Sequence, residues 1–137
     1  MTSTFRRIAV ATLLAASLGV AYATDVRVVL TGDQEVPAAA TSARGSGTIT
    51  IGADHSVSGS ITTSGIAGIM AHIHEGPPGK NGPPIITLEK VAEGKWSVPA
   101  GSKLTDAQYQ SFKAGQLYVN VHSDAYKGGE IRAQLKP

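Results

Sequence analysis

The chain has no cysteine. No disulfide staples it and no thiolate can act as its nucleophile, so a stable domain must be held by apolar packing and backbone pairing. Aromatic residues are scarce, with one Trp, two Phe and four Tyr. Trp96 and Tyr118 read as core or rim aromatics rather than as a platform for stacking bases. Charge of one sign is lacking as well. The formal net charge is +2 from twelve basic and ten acidic residues. Two of the basic residues, Arg6 and Arg7, lie in the first 23 positions, so ten of each sign remain beyond them. The rest are dispersed without a basic stripe, which gives no footprint for nucleic acid or an anionic membrane.

Long apolar runs are also missing, with one exception near the start. Ile8 to Val20 is apolar and rich in Ala and Leu, but short for a bilayer span. Arg6 and Arg7 precede it, and Ala21-Tyr22-Ala23 places small residues where a signal peptidase reads. Residues 1–23 therefore read as a secretory signal peptide cleaved after Ala23, and residues 24–137 as one domain with no stable membrane anchor after cleavage. An exported domain without cysteine fits a bacterial protein of the periplasm or the extracellular space.

What is present is mostly short alternating runs bounded by Gly, Pro and Ser. Val26, Val28 and Leu30 share a face, as do Ile49 and Ile51, Val57 and Ile61, and Ala71 and Ile73. Leu117, Val119 and Val121 repeat the pattern, then Ile131, Ala133 and Leu135, with a weaker run at Ile85 to Leu88. Such runs predict an all-β sandwich or barrel. Asp54-His55 predicts a hairpin turn. One short helix is predicted near 105–114, with Thr105 and Gln108 as a capping box, a Leu104–Tyr109 staple, and Gly115 as its stop. Gly76 to Pro84 carries glycine at every third position but is too short for a triple helix, and reads as a rigid loop.

The chemistry resides in the histidines. His55 falls in the predicted turn, where a solvated ring is expected. His72 and His74 are one residue apart, so on a strand both rings stand on one face. Met70 shares that face, and His122 ends another strand beside Tyr118 and Asn120. Two readings follow. In one, His72, His74 and His122, with Met70 as a further thioether donor, hold copper or zinc. In the other, the rings form a hydrogen-bonded polar ladder with side chains such as Glu75, Asp124, Glu130, Arg132 and Gln134. No Gly-x-Ser-x-Gly elbow is present, and Ser123 faces away from His122 on an extended strand.

Four separated motifs resemble one family. Asp33-Gln34-Glu35-Val36-Pro37 comes first. Ala71-His72-Ile73-His74-Glu75-Gly76 follows, with Gly79-Lys80-Asn81-Gly82-Pro83 after it. Gly115 to Ser123 (GQLYVNVHS) and Gly128 to Leu135 (GGEIRAQL) complete the set. Together they are similar to the CHRD domain over residues 25–137. The resemblance implies a Greek-key-like antiparallel β-sandwich, similar to copper/zinc superoxide dismutase, without a settled biochemical activity. His72, His74, Asn120, His122, Glu130 and Arg132 match the family motifs. Ala133 stands where glycine is common. A dismutase site needs six histidines and an aspartate, and four histidines cannot build it, so no enzyme is expected; the remaining enzyme reading is a dismutase-like metalloenzyme with a mononuclear copper centre, which needs an open coordination position. The expectation is an exported binding module, its partner a metal ion, a protein or a glycan.

Overall fold

The computed structural model describes residues 22–137, and the signal-peptide reading falls outside the described residues apart from Tyr22 and Ala23. Nine strands and one helix follow in chain order. They are β1 (Thr24–Leu30), β2 (Arg44–Ile51), β3 (Val57–Ser64), β4 (Gly68–Glu75), β5 (Pro84–Thr87), β6 (Glu89–Ala92), β7 (Lys95–Ser97), α1 (Asp106–Lys113), β8 (Leu117–Ser123) and β9 (Ile131–Leu135). A five-stranded sheet has the order β1-β2-β3-β7-β6, and a four-stranded sheet the order β5-β4-β8-β9. Every pairing is antiparallel.

The alternating apolar residues form one core between the sheets. Val26, Val28, Leu30, Ile49, Ile51, Val57 and Ile61 enter it from the first sheet. Ala71, Ile73, Leu117, Val119, Val121, Ile131, Ala133 and Leu135 enter it from the second. Period-two alternation fixes this partition, because a slip by one residue would turn each set to the opposite face. The outer face of the first sheet carries Ser46, Ser58, Ser60 and Thr62, all exposed, as expected for an antiparallel sheet wet on one side.

The second sheet departs from that pattern. All seven residues of β8 are buried, including Tyr118, Asn120 and His122 on its outer face. Three loops cover this face, around residues 31–43, 76–83 and 124–130. They are tied to it by side chains. Arg132 donates to the carbonyls of Lys80 (3.0 Å) and Pro77 (3.1 Å), and Gln134 donates to those of Gly76 (2.8 Å) and Gly115 (2.9 Å). Asn81 joins two loops by donating to the Val36 carbonyl at 2.6 Å, and Tyr126 reaches the Ala40 carbonyl at 3.2 Å. The domain thus has an apolar core on one side of the second sheet and a polar layer on the other.

The helix forms where its signals place it. Thr105 caps it, with both halves of the capping box made to Gln108. Phe112 is its buried anchor. β6 and β7 were not expected. Glu89–Ala92 is exposed along its length and shows no alternation, and β7 is a three-residue segment held by pairing with β3. Backbone pairing, rather than side-chain pattern, defines both. Among the described residues, no helix is long and apolar enough to cross a membrane.

Candidate functional site

The pairing of β4 with β8 assembles the histidines. Its register sets Met70 opposite His122, His72 opposite Asn120 and His74 opposite Tyr118. His72, His74 and His122 therefore share the outer face of the second sheet, and one ring nitrogen from each lies within 4.8 Å of the others. Their ring centroids are 4.9 to 5.8 Å apart. Among the described residues, this is the one cluster of three His, Cys, Asp or Glu side chains close enough to hold an ion. His74 and His122 are buried beneath the loops, whereas His72 is half-buried at the edge. Met70, 46 % exposed, stands on the same edge beside His122.

Hydrogen bonding fixes the tautomers. His122 Nδ1 lies 2.8 Å from the Lys127 carbonyl, and His74 Nδ1 lies 2.9 Å from the Gly82 carbonyl. A carbonyl can only accept, so both rings carry their proton on Nδ1. His122 Nε2 is then an acceptor, and His72 Nδ1, 3.0 Å away, donates to it. A chain of donation thus runs from His72 to His122 to the loop at Lys127, while His74 is tied to the loop at Gly82. His74 also stacks on Tyr118, with ring planes 5° apart and centroids at 4.7 Å. The Tyr118 hydroxyl accepts from the Gly82 backbone N–H at 3.1 Å, and the Arg132 guanidinium lies over the Tyr118 ring at 3.5 Å from its centroid.

Electrostatics favour the neutral form of His72 and His74. Burial holds the pKa of His72 below its ordinary value, with the neighbouring His122 and His74 adding to the effect. Burial also lowers that of His74, although its bond to Gly82 opposes this. A His depressed in the folded state favours folding most above the unfolded value of 6.5, and that contribution is lost as pH falls below it.

One buried ring nitrogen is left over. His74 Nε2 is buried without a hydrogen-bond partner, and so are Asn120 Oδ1, Glu35 Oε1 and Glu130 Oε2 in the same polar layer. An unprotonated imidazole nitrogen of this kind suits a metal ion. The Nδ1–H bonds of His74 and His122 to backbone carbonyls are the second contacts that orient metal-binding imidazoles. The donor set fits zinc or copper chemically.

The ladder's partners differ from those expected. Glu75 accepts from Ser111 at 2.7 Å, Glu130 accepts from Thr41 at 3.2 Å, and Arg132 serves loop carbonyls, so none bonds a histidine. Backbone acceptors took the place of carboxylates because the loops close over the face. His55 does occupy the turn, at φ 69°, but its ring stacks on Tyr109 at 4.2 Å instead of standing free in solvent. Two residues of the layer carry roles that the sequence gives only as motif positions. Glu35 is 4 % exposed, and burial pushes its carboxyl up to about 7, against the lowering effects of Asn120 and Arg132. Asn120 lies between it and His74. Both sit within the recurring motifs of the sequence, the one signal that pointed to them.

Residues 26–135 match the family model of the CHRD domain. No curated protein and no solved structure matches the chain.

Proposed function

This chain belongs to the CHRD domain family, and from that premise we propose that it is a noncatalytic binding module whose histidines serve in the metal-free protein as a polar ladder that fixes two of the three covering loops. One observation carries this reading. Each of the three rings donates its Nδ1 proton to an acceptor within 3.0 Å, two of them to loop carbonyls. A face that spends its donors on Gly82 and Lys127 holds the 76–83 and 124–130 loops in place, and those loops form the surface a protein or glycan partner would meet. Three histidines do not make a binuclear copper/zinc centre, and the likeness to superoxide dismutase enters this proposal as architecture alone.

A second reading has its own support in the unpartnered His74 Nε2. In it, His72, His74 and His122 take up copper or zinc, with Met70 at the rim as a thioether donor for copper. His72 would surrender its Nδ1 proton or offer its other nitrogen. Equilibrium dialysis against zinc and copper at neutral pH separates the two. The ladder predicts no saturable uptake. One ion per chain, lost in the His72→Ala/His74→Ala variant, would establish the metal reading instead.

The proposal includes export. Residues 1–23 act as a signal peptide, the mature module begins at Thr24, and it works in the periplasm or outside the cell. N-terminal sequencing of the exported protein checks this, and an intact Met1 on exported protein would refute it.

A further inference from the structure

The polar layer contains an imbalance of protons. His74 Nδ1–H is used on Gly82, so Nε2 can only accept. Asn120 Oδ1, which can also only accept, is unpartnered beside it, and Glu35 Oε1 is unpartnered on the other side of the same amide. The glycine at position 129 leaves room for the contact between Asn120 and Glu35. Gly129 has φ +127°, and a Cβ there would overlap both the Glu35 carboxyl and the Asn120 amide. His74 Nε2 and Asn120 Oδ1, two acceptors, thus face each other with no proton between them, while Asn120 Nδ2 is turned toward Glu35, and a buried acceptor left unmatched is costly.

One rearrangement satisfies both and keeps Glu35 engaged. Exchanging the oxygen and nitrogen of the Asn120 amide, which is a rotation of the side chain by about 180°, turns Nδ2–H toward His74 Nε2. Oδ1 then faces Glu35 Oε1, and a proton on Glu35 completes the row. We propose that Glu35, Asn120 and His74 form a buried relay in which Asn120 is a positioning residue: it donates to His74 Nε2 while Glu35 is protonated and turns to Glu35 once that proton leaves. Glu35 thereby sets whether His74 Nε2 is closed within the ladder or left unbonded. The inference rests on the ladder's Nδ1–H tautomer at His74.

Independent features agree with this arrangement. The Glu35 carboxyl is raised to about 7 by burial, so the proton is present where the row needs it. An imidazolium at His74 would also complete the row, but burial and the nearby Arg132 guanidinium disfavour it. The groups facing Glu35 are Arg132 from β9, Asn120 from β8 with His74 behind it, and Gly129 from the 124–130 loop. Asp33 and Lys136 line the same cavity of about 250 Å³ at the surface. The cations Arg132 and Lys136 favour ionisation, and Asp33 opposes it. No carboxylate lies within ion-pair distance of Arg132 among the described residues.

The test is the ¹⁵N resonance of His74 Nε2 in chelator-treated full chain at pH 6 and pH 9. The relay predicts a hydrogen-bonded Nε2 at pH 6 and a shift to the free lone-pair position at pH 9. In Glu35→Gln, whose amide donates at either pH, Nε2 stays bonded at both. In Asn120→Ala it is free at both. An Nε2 resonance in wild type that does not move between the two pH values, or a Glu35→Gln variant that switches as wild type does, would overturn the relay while leaving the Nδ1–H bond to Gly82 intact. A His74 proton found on Nε2 would overturn the ladder itself.

Discussion

Val119→Asp is expected to abolish folding of the domain. Val119 is fully buried at the middle of β8, between Ile73 of β4 and Ala133 of β9. Its side chain points into the apolar core, where nothing charged stands within reach to pair with a carboxylate. An uncompensated buried charge costs several kcal/mol. A domain of this size has about 5–15 kcal/mol of stability in all, and without disulfides it has no covalent reserve. Circular dichroism and thermal melting read the outcome. The expected result is loss of the cooperative transition at room temperature. Thr62→Asp, on the exposed outer face of β3, is the matched control and should stay within about 0.5 kcal/mol of wild type. A folded Val119→Asp protein with an unchanged midpoint would mean that the register of β8 is off by one residue.

That prediction depends on the part of the structure most legible in the sequence. β1, β8 and β9 alternate strictly, so their inward residues can be named before any sheet is drawn. The helix is equally plain, because Thr105, Gln108 and Gly115 mark its ends by hydrogen-bond chemistry that acts locally. β6 is not legible, since its four residues are exposed and no face is apolar. Its position follows from pairing with β7, itself fixed by Ile61 and Trp96 meeting across the sheet.

The site was legible by half. His72 and His74 share a face by geometry alone, but the arrival of His122 depends on β4 lying next to β8, which no local signal specifies. The ladder's acceptors could not be read from the sequence either. The carbonyls of Gly82 and Lys127 carry no side-chain signature, and every residue has one. Nor could the burial of an entire polar face be foreseen from β8, whose Tyr118, Asn120 and His122 alternate with apolar residues as they would on a sheet wet on one side. Only the closing loops distinguish a solvated face from a second, polar interior. Glu35 belongs to one of those loops, and its carboxyl becomes a buried group through contact with Asn120, far away in sequence.

The central claim is that the histidines hold this polar layer together without an ion. The most direct measurement is the unfolding free energy of chelator-treated wild type and of His72→Ala/His74→Ala, by urea titration at pH 7.5. That pH lies above the window in which protonation of the two depressed histidines would weaken the folded state. Removing His72 strips the donor from His122 Nε2, and removing His74 strips the closer of the two donors to the Gly82 carbonyl together with the stack on Tyr118. Each buried group left unmatched costs about 1–3 kcal/mol. The ladder predicts that the metal-free double variant loses about 2–5 kcal/mol, read as a lower urea midpoint at unchanged slope. A metal-free double variant as stable as wild type would contradict it, and would mean that the three rings are not what secures the loops.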